Sequence, residues 1–297
     1  ENVKFRPRDE ILTYEEIARF ASVAARLGIN RLRITGGEPL IRNDLAGLIK
    51  RLSAIPGIDD IALTTNGVLL TEQAAALKNA GLQRLNVSLD TLDDDVFFRL
   101  SRRRGIDQII AGIQQANKLG FDKIRLNAIA IKSITEQEIV PLATFARQHD
   151  LELRFIEFMP LDADDQWQRQ QVLTGDEIKN ILETAFCELL PVTRDDASQP
   201  AVDFQFSDNQ GRIGFINPLS QPFCHHCNRI RITAEGQLRN CLFSTTEWDV
   251  RQLLRNKGSD DELETLIRSC VSVKNAAHGI DSDSFIKPQR AMYQIGG

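Results

Sequence analysis

The sequence predicts an α/β protein built around a parallel sheet, and three features of the chain lead to that prediction. Between residues 13 and 160, runs with the spacing of strands alternate with runs that have the apolar spacing of helices. Several of the helical runs end at glycine, as helices commonly do. Strands and helices that alternate at this spacing form parallel βαβ units.

The elements of this repeating region can be assigned in chain order. Strands are predicted at residues 31–36, 61–67, 84–91, 123–131 and 151–159. Helices are predicted at residues 13–28, 43–57, 71–81, 105–120 and 135–150. Thr13 is followed three residues later by Glu16, which is the pattern of a capping box and marks the start of the first helix.

Polar residues inside the strands favour an incomplete barrel over an open dinucleotide-binding sheet. The first strand-to-helix turn lacks the G-x-G-x-x-G spacing of such a sheet. Four strands carry polar residues at alternate positions, which share one face: Arg33 and Thr35, Thr64 and Asn66, Asn86 and Ser88, Arg125 and Asn127. Burying these groups is costly unless water or a ligand satisfies them, so we expect a wide polar binding cavity. The alternative is a face that points to solvent where no helix covers it.

The loop Gly36-Gly37-Glu38-Pro39 follows the first predicted strand, at what would be the functional rim of a barrel. Glycine allows a ligand to approach the bare backbone, proline fixes the turn, and Glu38 offers a carboxylate. A tight turn without a ligand is the alternative interpretation.

A cysteine array with the spacing C-x2-C-x13-C is formed by Cys224, Cys227 and Cys241. Two kinds of metal site suit this spacing. One is a structural zinc site with His225 or His226 as the fourth ligand. The other is an iron–sulfur cluster that is held by three cysteines and has one open iron.

Two arginines directly follow the second cysteine of the array. If they lie on a strand, Arg229 and Arg231 share one face and form a fork for a carboxylate or phosphate. A turn at Gly236 is expected to make a hairpin that returns Cys241 to the other two cysteines. The two arginines favour the iron–sulfur cluster. A purely structural zinc site does not need two aligned cations beside it, whereas an open iron that binds an anionic substrate does need them.

Composition sets limits on the class of protein. The 297 residues, of which 42% are hydrophobic, suffice for one large domain or for a domain with an extension. The net charge of −5 argues against a general nucleic-acid or membrane-surface binder. Neither an apolar run of about 18 residues nor a signal-peptide pattern is found, so we expect a cytoplasmic protein. Cys187 and Cys270 lie in apolar helical contexts and are predicted to be small buried residues.

The regular alternation stops after Pro160. Residues 1–160 are predicted to form a partial barrel, and residues 161–297 a C-terminal extension that covers its open side. Within the extension we predict a helix at residues 174–186, antiparallel strands at residues 203–208 and 212–218, and two helices between residues 247 and 275.

With these motifs in place, the chain resembles the radical S-adenosylmethionine (SAM) GTP 3′,8-cyclase family of molybdenum cofactor biosynthesis. The resemblance rests on G-G-E-P after a strand, T-T-N-G on the next, L-N-V-S-L-D-T-L, F-C-x2-C-N-R-x-R-x-T with a later C-L, and a chain end of I-G-G. It spans residues 12–297, and the cysteine–arginine motif and the Gly-Gly end are its most specific parts. It implies an incomplete parallel (β/α) barrel of the radical SAM type, with a C-terminal α+β extension that carries a second iron–sulfur cluster.

One motif of the family is absent from the printed sequence. In the family, C-x3-C-x2-C on the first barrel strand holds the first [4Fe–4S] cluster, and this sequence opens at Glu1, just beyond where that motif would lie. We therefore expect a fragment that lacks the first strand, its cluster and the activity that depends on them. A natural form that has lost radical chemistry is the alternative.

The resemblance implies ligands for each bound group. The residues implied for the [4Fe–4S] cluster of the extension are Cys224, Cys227 and Cys241. Those implied for SAM are Gly36, Gly37, Glu38, Pro39, Asn66, Ser88 and Met159. Those implied for GTP are Arg33, Thr64, Arg125, Asn127, Asn228, Arg229, Ile230 and Arg231. Catalytic roles are implied for Arg229, Arg231, Gly296 and Gly297, the glycines as a tail that enters the cavity.

The resemblance also implies a reaction and its partners. A 5′-deoxyadenosyl radical abstracts the ribose 3′ hydrogen of GTP, and the resulting carbon radical attacks C8 of guanine. The expected partners are GTP, a flavodoxin-like or ferredoxin-like electron donor and a downstream cyclic pyranopterin monophosphate synthase, and a homodimer is allowed. Two other functions stay open: a zinc-stabilised nucleotide-binding module without catalysis, and a radical SAM enzyme that modifies peptides.

Overall fold

The computed structural model describes residues 6–161, 166–194, 196–280, 282 and 285–296. The first half of the chain contains, in order, α1 (Tyr14–Arg26), β1 (Arg31–Ile34), α2 (Leu45–Ser53), β2 (Asp60–Thr65), α3 (Leu70–Asn79), β3 (Arg84–Ser88), α4 (Asp94–Ser101), α5 (Ile106–Lys118), β4 (Lys123–Ala130), α6 (Ile139–Gln148) and β5 (Glu152–Glu157). The capping box of α1 is present, because the Thr13 hydroxyl accepts from the Glu16 N–H and the Glu16 carboxylate accepts from the Thr13 N–H.

All five strands and five helices predicted for this half are found, and one helix was missed. The missed helix is α4, which the Asp93 side chain caps by accepting from the Asp95 and Val96 N–H groups. None of its eight residues is buried, and only Phe97 packs against the edge of the core, so its apolar positions Val96, Phe97 and Leu100 make too short a pattern to predict a separate helix. The strands are also shorter than predicted. For example, β3 ends at Ser88 because the chain then turns, and the Thr91 hydroxyl donates to Glu138.

The second half of the chain adds three strands to the same sheet. It contains α7 (Gly175–Ala185), β6 (Leu189–Pro191), β7 (Val202–Phe206), β8 (Arg212–Ile216), β9 (Arg231–Ile232), β10 (Gln237–Arg239), β11 (Trp248–Asp249), α8 (Val250–Arg255), α9 (Asp260–Ser272) and α10 (Met292–Ile295). The strand order is β1-β2-β3-β4-β5-β8-β7-β6, in which β8 runs parallel to β5, and β7 and β6 are antiparallel. The division of the chain at residue 160 stays a prediction, since the sheet itself continues past it.

The two faces of this eight-stranded sheet differ sharply in polarity. One face packs against the helices, and its residues with no more than 2% exposure include Ile61, Leu63, Leu85, Val87, Leu126, Leu153 and Phe155. Because side chains alternate along a strand, the register places the polar residues together on the other face. There Thr64, Asn86, Arg125 and Glu152 are neighbours on successive strands. The expectation of a polar inner face is therefore confirmed.

A second, three-stranded sheet carries the cysteine array. Its order is β11-β10-β9, and its side chains pack with α1 and α9 around Phe20, Leu238 and Ile267. The predicted turn at Gly236 is found with φ +85°, and a Cβ there would lie 2.8 Å from the Arg251 Cβ, so only glycine fits. The hairpin is shorter than predicted, since β9 begins at Arg231 and leaves Arg229 ahead of the strand.

The two remaining cysteines are both free, but they differ in burial. Cys270 is fully buried in α9, as predicted. Cys187 is only half-buried, because it lies past the end of α7 at the edge of the core and donates a hydrogen bond to Asp208. Within the ranges that the structure describes, none of the helices has the length and apolar character needed to cross a membrane.

Asp90 lies just beyond the end of β3, and its carboxyl group has a raised pKa. Its Oδ1 accepts from the Ile129 N–H at 2.7 Å, which ties β3 to β4. The residue is only half-buried, yet burial by the surrounding protein raises the pKa of the Asp90 carboxyl to about 6, and the hydrogen bond from Ile129 offsets only part of this. The accessible surface of Asp90 therefore belongs to an enclosed space rather than to the outside of the protein.

Replacing the Asp90 carboxyl by an amide should stabilise the protein at pH values above the ordinary carboxyl pKa of 3.8 and have little effect below it. Between the ordinary pKa of 3.8 and about 6, the folded protein holds a proton that the unfolded chain has lost, so wild-type stability falls as pH rises. Asp90→Asn keeps the acceptor for Ile129 and removes this effect. Its stability relative to wild type should rise with pH across that window, with a limiting slope of about 1.4 kcal/mol per pH unit.

Denaturant unfolding at several pH values measures this difference. Asp150 is the matched control, because it is exposed and has a left-handed backbone that asparagine also adopts. An Asp90→Asn curve parallel to that of Asp150→Asn at every pH would contradict the assignment.

Candidate active site

The loop after β1 has open space beside its glycines. A Cβ on Gly36 or Gly37 would meet no atom within 4 Å, so a ligand could approach the backbone there. The Glu38 carboxylate is already occupied within the protein. It accepts from the Leu40 N–H at 2.9 Å, the Thr65 hydroxyl at 2.8 Å and the Asn66 N–H at 2.7 Å. Glu38 thus holds the loop against the end of β2, and Pro39 begins the short 3-10 helix that follows.

Further polar groups lie at the same end of the sheet. The Asn66 side chain accepts from the Val68 N–H at 3.0 Å, which forms the turn after β2. Ser88 is exposed and lies beside Asn127 in the register of β3 and β4. The Asn127 Oδ1 is buried, and none of the described residues donates a hydrogen bond to it. A buried acceptor without a donor indicates a place where a ligand or water binds.

Arginines dominate the middle of the polar face. Arg33 is accessible to solvent but surrounded by protein, and burial lowers its pKa to about 10, with further lowering by Arg84, Arg231, Arg154 and Arg229. Arg33 therefore lies on the polar face of the sheet among other cations, although part of its side chain is accessible. Because each of these arginines acts electrostatically on Arg33, the structure brings strands β1, β3 and β5 and the cysteine array to one positively charged region.

Acidic residues offset only part of this charge. The Arg125 Nε donates to Glu152 at 2.5 Å, and Arg84 pairs with Asp60. Arg154 is 4% exposed, and burial, followed by repulsion from Arg125, lowers its pKa to about 10. Its Nε and Nη2 are buried and hydrogen-bond to none of the described residues. Donors left in this state favour an anionic ligand.

The three cysteines of the array lie near one another. Cys224 is in a short 3-10 helix, and burial raises its pKa, as do the neighbouring Cys241 and Cys227, against a hydrogen bond from the backbone of His278. Burial alone would raise the pKa of Cys227 as well, but Arg229, whose Nη2 lies 3.5 Å from the Cys227 Sγ, brings it below its ordinary value.

A single ion and an iron–sulfur cluster require different arrangements of the three thiols. His225 and His226 are exposed, and no group of three or more His, Cys, Asp or Glu side chains in the described ranges is arranged to hold a metal ion. A single tetrahedral zinc needs its ligands to converge on one point. A [4Fe–4S] cluster binds each thiolate to a different iron, so its sulfurs stand farther apart.

The two arginines of the array have different surroundings. Arg229 stacks over the Phe223 ring at 5.0 Å, and its buried Nε bonds to none of the described residues. Arg231 is surrounded by protein, and burial, then repulsion from Arg229, lowers its pKa to about 10. Asn228 is exposed, and the Ile230 side chain packs into the apolar cluster of the small sheet.

Lys274 connects the segment after Cys227 to the segment before Cys241. Its Nζ donates to the Arg229 carbonyl at 2.9 Å and also to the Asn240 carbonyl, which directly precedes Cys241. The sequence offered no sign of this residue, because its acceptors are backbone groups. Arg154 was also missed, although its alternation with Glu152 on β5 could have placed it on the polar face.

The C-terminal segment reaches the same cavity. The Gly296 carbonyl accepts from Arg231 Nη1, and a Cβ on Gly296 would lie 2.7 Å from the Thr35 Cγ2 of the loop after β1. Ile295 is 1% exposed and packs in an apolar cluster that also contains Met159 and Cys241. The structure therefore brings Met159, the cysteines, Arg231, Arg33 and Gly296 to one region. Gly297 lies outside the described residues.

Comparisons with known proteins agree with this arrangement. Residues 2–146 match the family model of the radical SAM superfamily, and residues 151–280 match that of Molybdenum Cofactor Synthesis C. A GTP 3′,8-cyclase from Rhodopirellula baltica is 48% identical over 100% of this chain and 83% of its own length. A GTP 3′,8-cyclase from Thermodesulfovibrio yellowstonii is 40% identical over 98% of this chain and 88% of its own length.

Among solved structures, Streptococcus suis SuiB is similar in fold. It superimposes with a TM-score of 0.63 over 98% of this chain and 71% of its own length, at 16% sequence identity. At that identity the similarity concerns the fold alone, and it agrees with the eight-stranded α/β sheet described above. The relatives that match across the whole chain settle the family: the protein belongs to the GTP 3′,8-cyclases of the radical SAM superfamily.

Proposed function

We propose that the protein converts GTP to (8S)-3′,8-cyclo-7,8-dihydroguanosine 5′-triphosphate, the first step of molybdenum cofactor biosynthesis, and that GTP binds on the polar face of the barrel. The observation that carries this proposal is the convergence of Arg33, Arg229 and Arg231 beside three thiols. A triphosphate is a polyanion, and guanidinium groups bind phosphate oxygens through charge-assisted, often bidentate hydrogen bonds.

The cysteines are proposed to hold a [4Fe–4S] cluster. Three thiols that lie near one another, one of them beside the Arg229 guanidinium, support a cluster whose open iron faces an anion. When bound, SAM and the iron–sulfur clusters of the superfamily would supply the radical and an iron with an open coordination position. The chain's own residues hold the substrate next to these groups.

Each part of the cavity has a proposed role in that binding. Arg33, Arg229 and Arg231 would hold the triphosphate. The Nε of Arg154, which hydrogen-bonds to none of the described residues, supports a further contact there, while its Nη2 lies 3.5 Å from Asp203. The glycine loop after β1, with Asn66, Ser88 and Met159, would bind SAM, because ligand can approach the backbone at Gly36 and Gly37.

The remaining polar residues would complete the nucleotide site. Thr64, Arg125 and Asn127 would line its wall, with Asn228 and the Ile230 backbone at its edge. The reaction would draw electrons from a flavodoxin-like or ferredoxin-like donor, and cyclic pyranopterin monophosphate synthase would consume the product.

Removing either arginine of the array should weaken GTP binding. Arg229→Ala and Arg231→Ala should each cost about 1.5–3 kcal/mol of binding free energy, the range for hydrogen bonds to charged groups. Calorimetric titration with GTP measures the binding free energy of each variant. Titration with ATP is the comparison, because we expect GTP to bind more tightly than ATP. Arg268→Ala on the exposed side of α9 is the control, because among the described residues Arg268 pairs with Glu264 of the same helix alone. Equal binding of GTP by all three variants and wild type would contradict the proposed phosphate site.

Iron content tests the cluster and the role of Lys274. Anaerobic reconstitution should load about four irons on the three-cysteine site. Lys274→Met should lose iron faster, because the carbonyls of Arg229 and Asn240 lose the donor that joins them. Lys50→Met, at an exposed lysine of α2, is the control. Zinc instead of iron at the three cysteines would contradict the cluster, and equal iron retention in both variants would contradict the role of Lys274.

The tail glycine should matter for catalysis more than for folding. In Gly296→Ala the added methyl would contact Thr35 and the backbone would be strained at φ +81°. A shift on the order of 1 Å near the substrate can cost about a hundredfold in rate. In a form of the protein that carries the upstream C-x3-C-x2-C motif, we therefore expect cyclisation to be nearly abolished, with the melting temperature nearly unchanged. The same result is predicted for Gly297→Ala.

Gly120→Ala is the control that separates backbone strain at a positive φ from the contact between the added methyl group and Thr35. Gly120 also has a positive φ, +67°, but a Cβ there would meet nothing within 4 Å. It should lose some stability and keep its activity. Wild-type rates in Gly296→Ala would show that the tail does not enter the substrate site.

A further inference from the structure

Arg290 makes the most extensive ion-pair contacts of the described C-terminal residues. Its Nε donates to Glu247 Oε1 at 2.6 Å and its Nη2 to Glu247 Oε2 at 2.9 Å, a two-pronged pairing that matches the planar guanidinium. Its Nη1 donates to Glu235 Oε1 as well. The Arg290 side chain is 19% exposed and that of Glu235 is 9% exposed, so these bonds are largely shielded from water.

The two acidic partners of Arg290 both belong to the small sheet. Glu235 is in the turn between β9 and β10, and Glu247 immediately precedes β11. Arg239, which is 2% exposed at the end of β10, also donates to Glu247 and to the Ser244 carbonyl. Arg6 also lies 3.7 Å from Glu235, so three arginines share these two carboxylates. Through Glu235 and Glu247, Arg290 joins the tail to the hairpin that carries Arg231.

The other end of the tail touches the substrate cavity. The Met292 N–H donates to the Leu161 carbonyl at 3.0 Å, one turn of helix α10 follows, and the Gly296 carbonyl then accepts from Arg231. Arg290 and Arg231 thus fasten the tail at two points to the same small sheet. With the first point fixed and a helical turn between, the distance that Gly296 extends into the cavity is determined.

We infer that Arg290 is a positioning residue, which sets the depth at which the C-terminal tail enters the nucleotide cavity; this rests on the proposed function. The role needs a guanidinium rather than any cation, because lysine cannot hold both Glu247 oxygens and Glu235 in one plane. Arg290 touches neither the cysteines nor the proposed phosphate contacts, so it acts only through the tail. Shielded ion pairs of this kind fix a geometry more than they add stability.

Amide hydrogen exchange on the protein without nucleotide tests the anchor directly. In Arg290→Gln, exchange across residues 285–296 should accelerate on the order of tenfold or more, while exchange in β1 to β5 stays as in wild type. Arg290→Lys should fall between the two. The melting temperature of Arg290→Gln should fall, because Glu235 loses the guanidinium that pairs with it. Arg268→Gln, which breaks the exposed pair with Glu264, is the control and should leave the tail unchanged.

Steady-state kinetics of the reconstituted enzyme, in a form that carries the upstream C-x3-C-x2-C motif, supplies the second measurement. Arg290→Gln should lower kcat for GTP by about ten to a hundredfold with little change in KM, because the phosphate-binding arginines remain. Unchanged exchange of the tail in Arg290→Gln would overturn the inference. If Arg290→Gln does not fold, the same two measurements are made on Arg290→Lys. Unchanged exchange of the tail in Arg290→Lys would then overturn the inference. If the wild-type protein fails to bind GTP, the proposed function is wrong. The exchange measurement still tests the role of Arg290 in that case, because it is made without nucleotide.

Discussion

Arg33, Arg154 and Arg231 keep their charges within the protein although burial and neighbouring arginines both oppose ionisation, which lowers the pKa of each to about 10. A pKa of that value still leaves them protonated at neutral pH, so the cavity is positive before any ligand arrives. Glu152, Asp60 and Asp203 offset part of this repulsion from the strands themselves. The rest is available to an anion. The apolar outer face of the sheet, packed by the helices, is what holds these like charges at fixed distances.

This constraint explains why so much of the architecture was predictable. A parallel sheet normally buries both of its faces, so polar residues repeated at every second position of several strands indicate an inner face that binds something. The pattern in Thr64, Asn86 and Arg125 predicted this face, and the register confirms it. The capping box at Thr13 and the turn at Gly236 were also predictable, because each depends on residues only a few positions apart.

Other parts of the site left no such trace in the sequence. Helix α4 buries none of its residues, so its formation depends on the Asp93 cap and on its neighbours in space. Lys274 acts on the carbonyls of Arg229 and Asn240, and a carbonyl accepts a hydrogen bond whatever its side chain is. The pairing of Arg290 with Glu247 joins positions 43 residues apart, at a distance that follows from the whole fold. Contacts of this kind become visible only in three dimensions.

The bond between Arg231 and the Gly296 carbonyl also affects when conformational entropy is lost. An arginine side chain that is free to rotate carries about 2 kcal/mol of rotamer entropy, which a ligand would otherwise have to remove on binding. In this protein the tail removes much of that freedom during folding, and it uses one donor of the guanidinium while leaving the others for the proposed phosphate contact. The affinity for a nucleotide is therefore set partly by a chain segment that need not touch the phosphate at all.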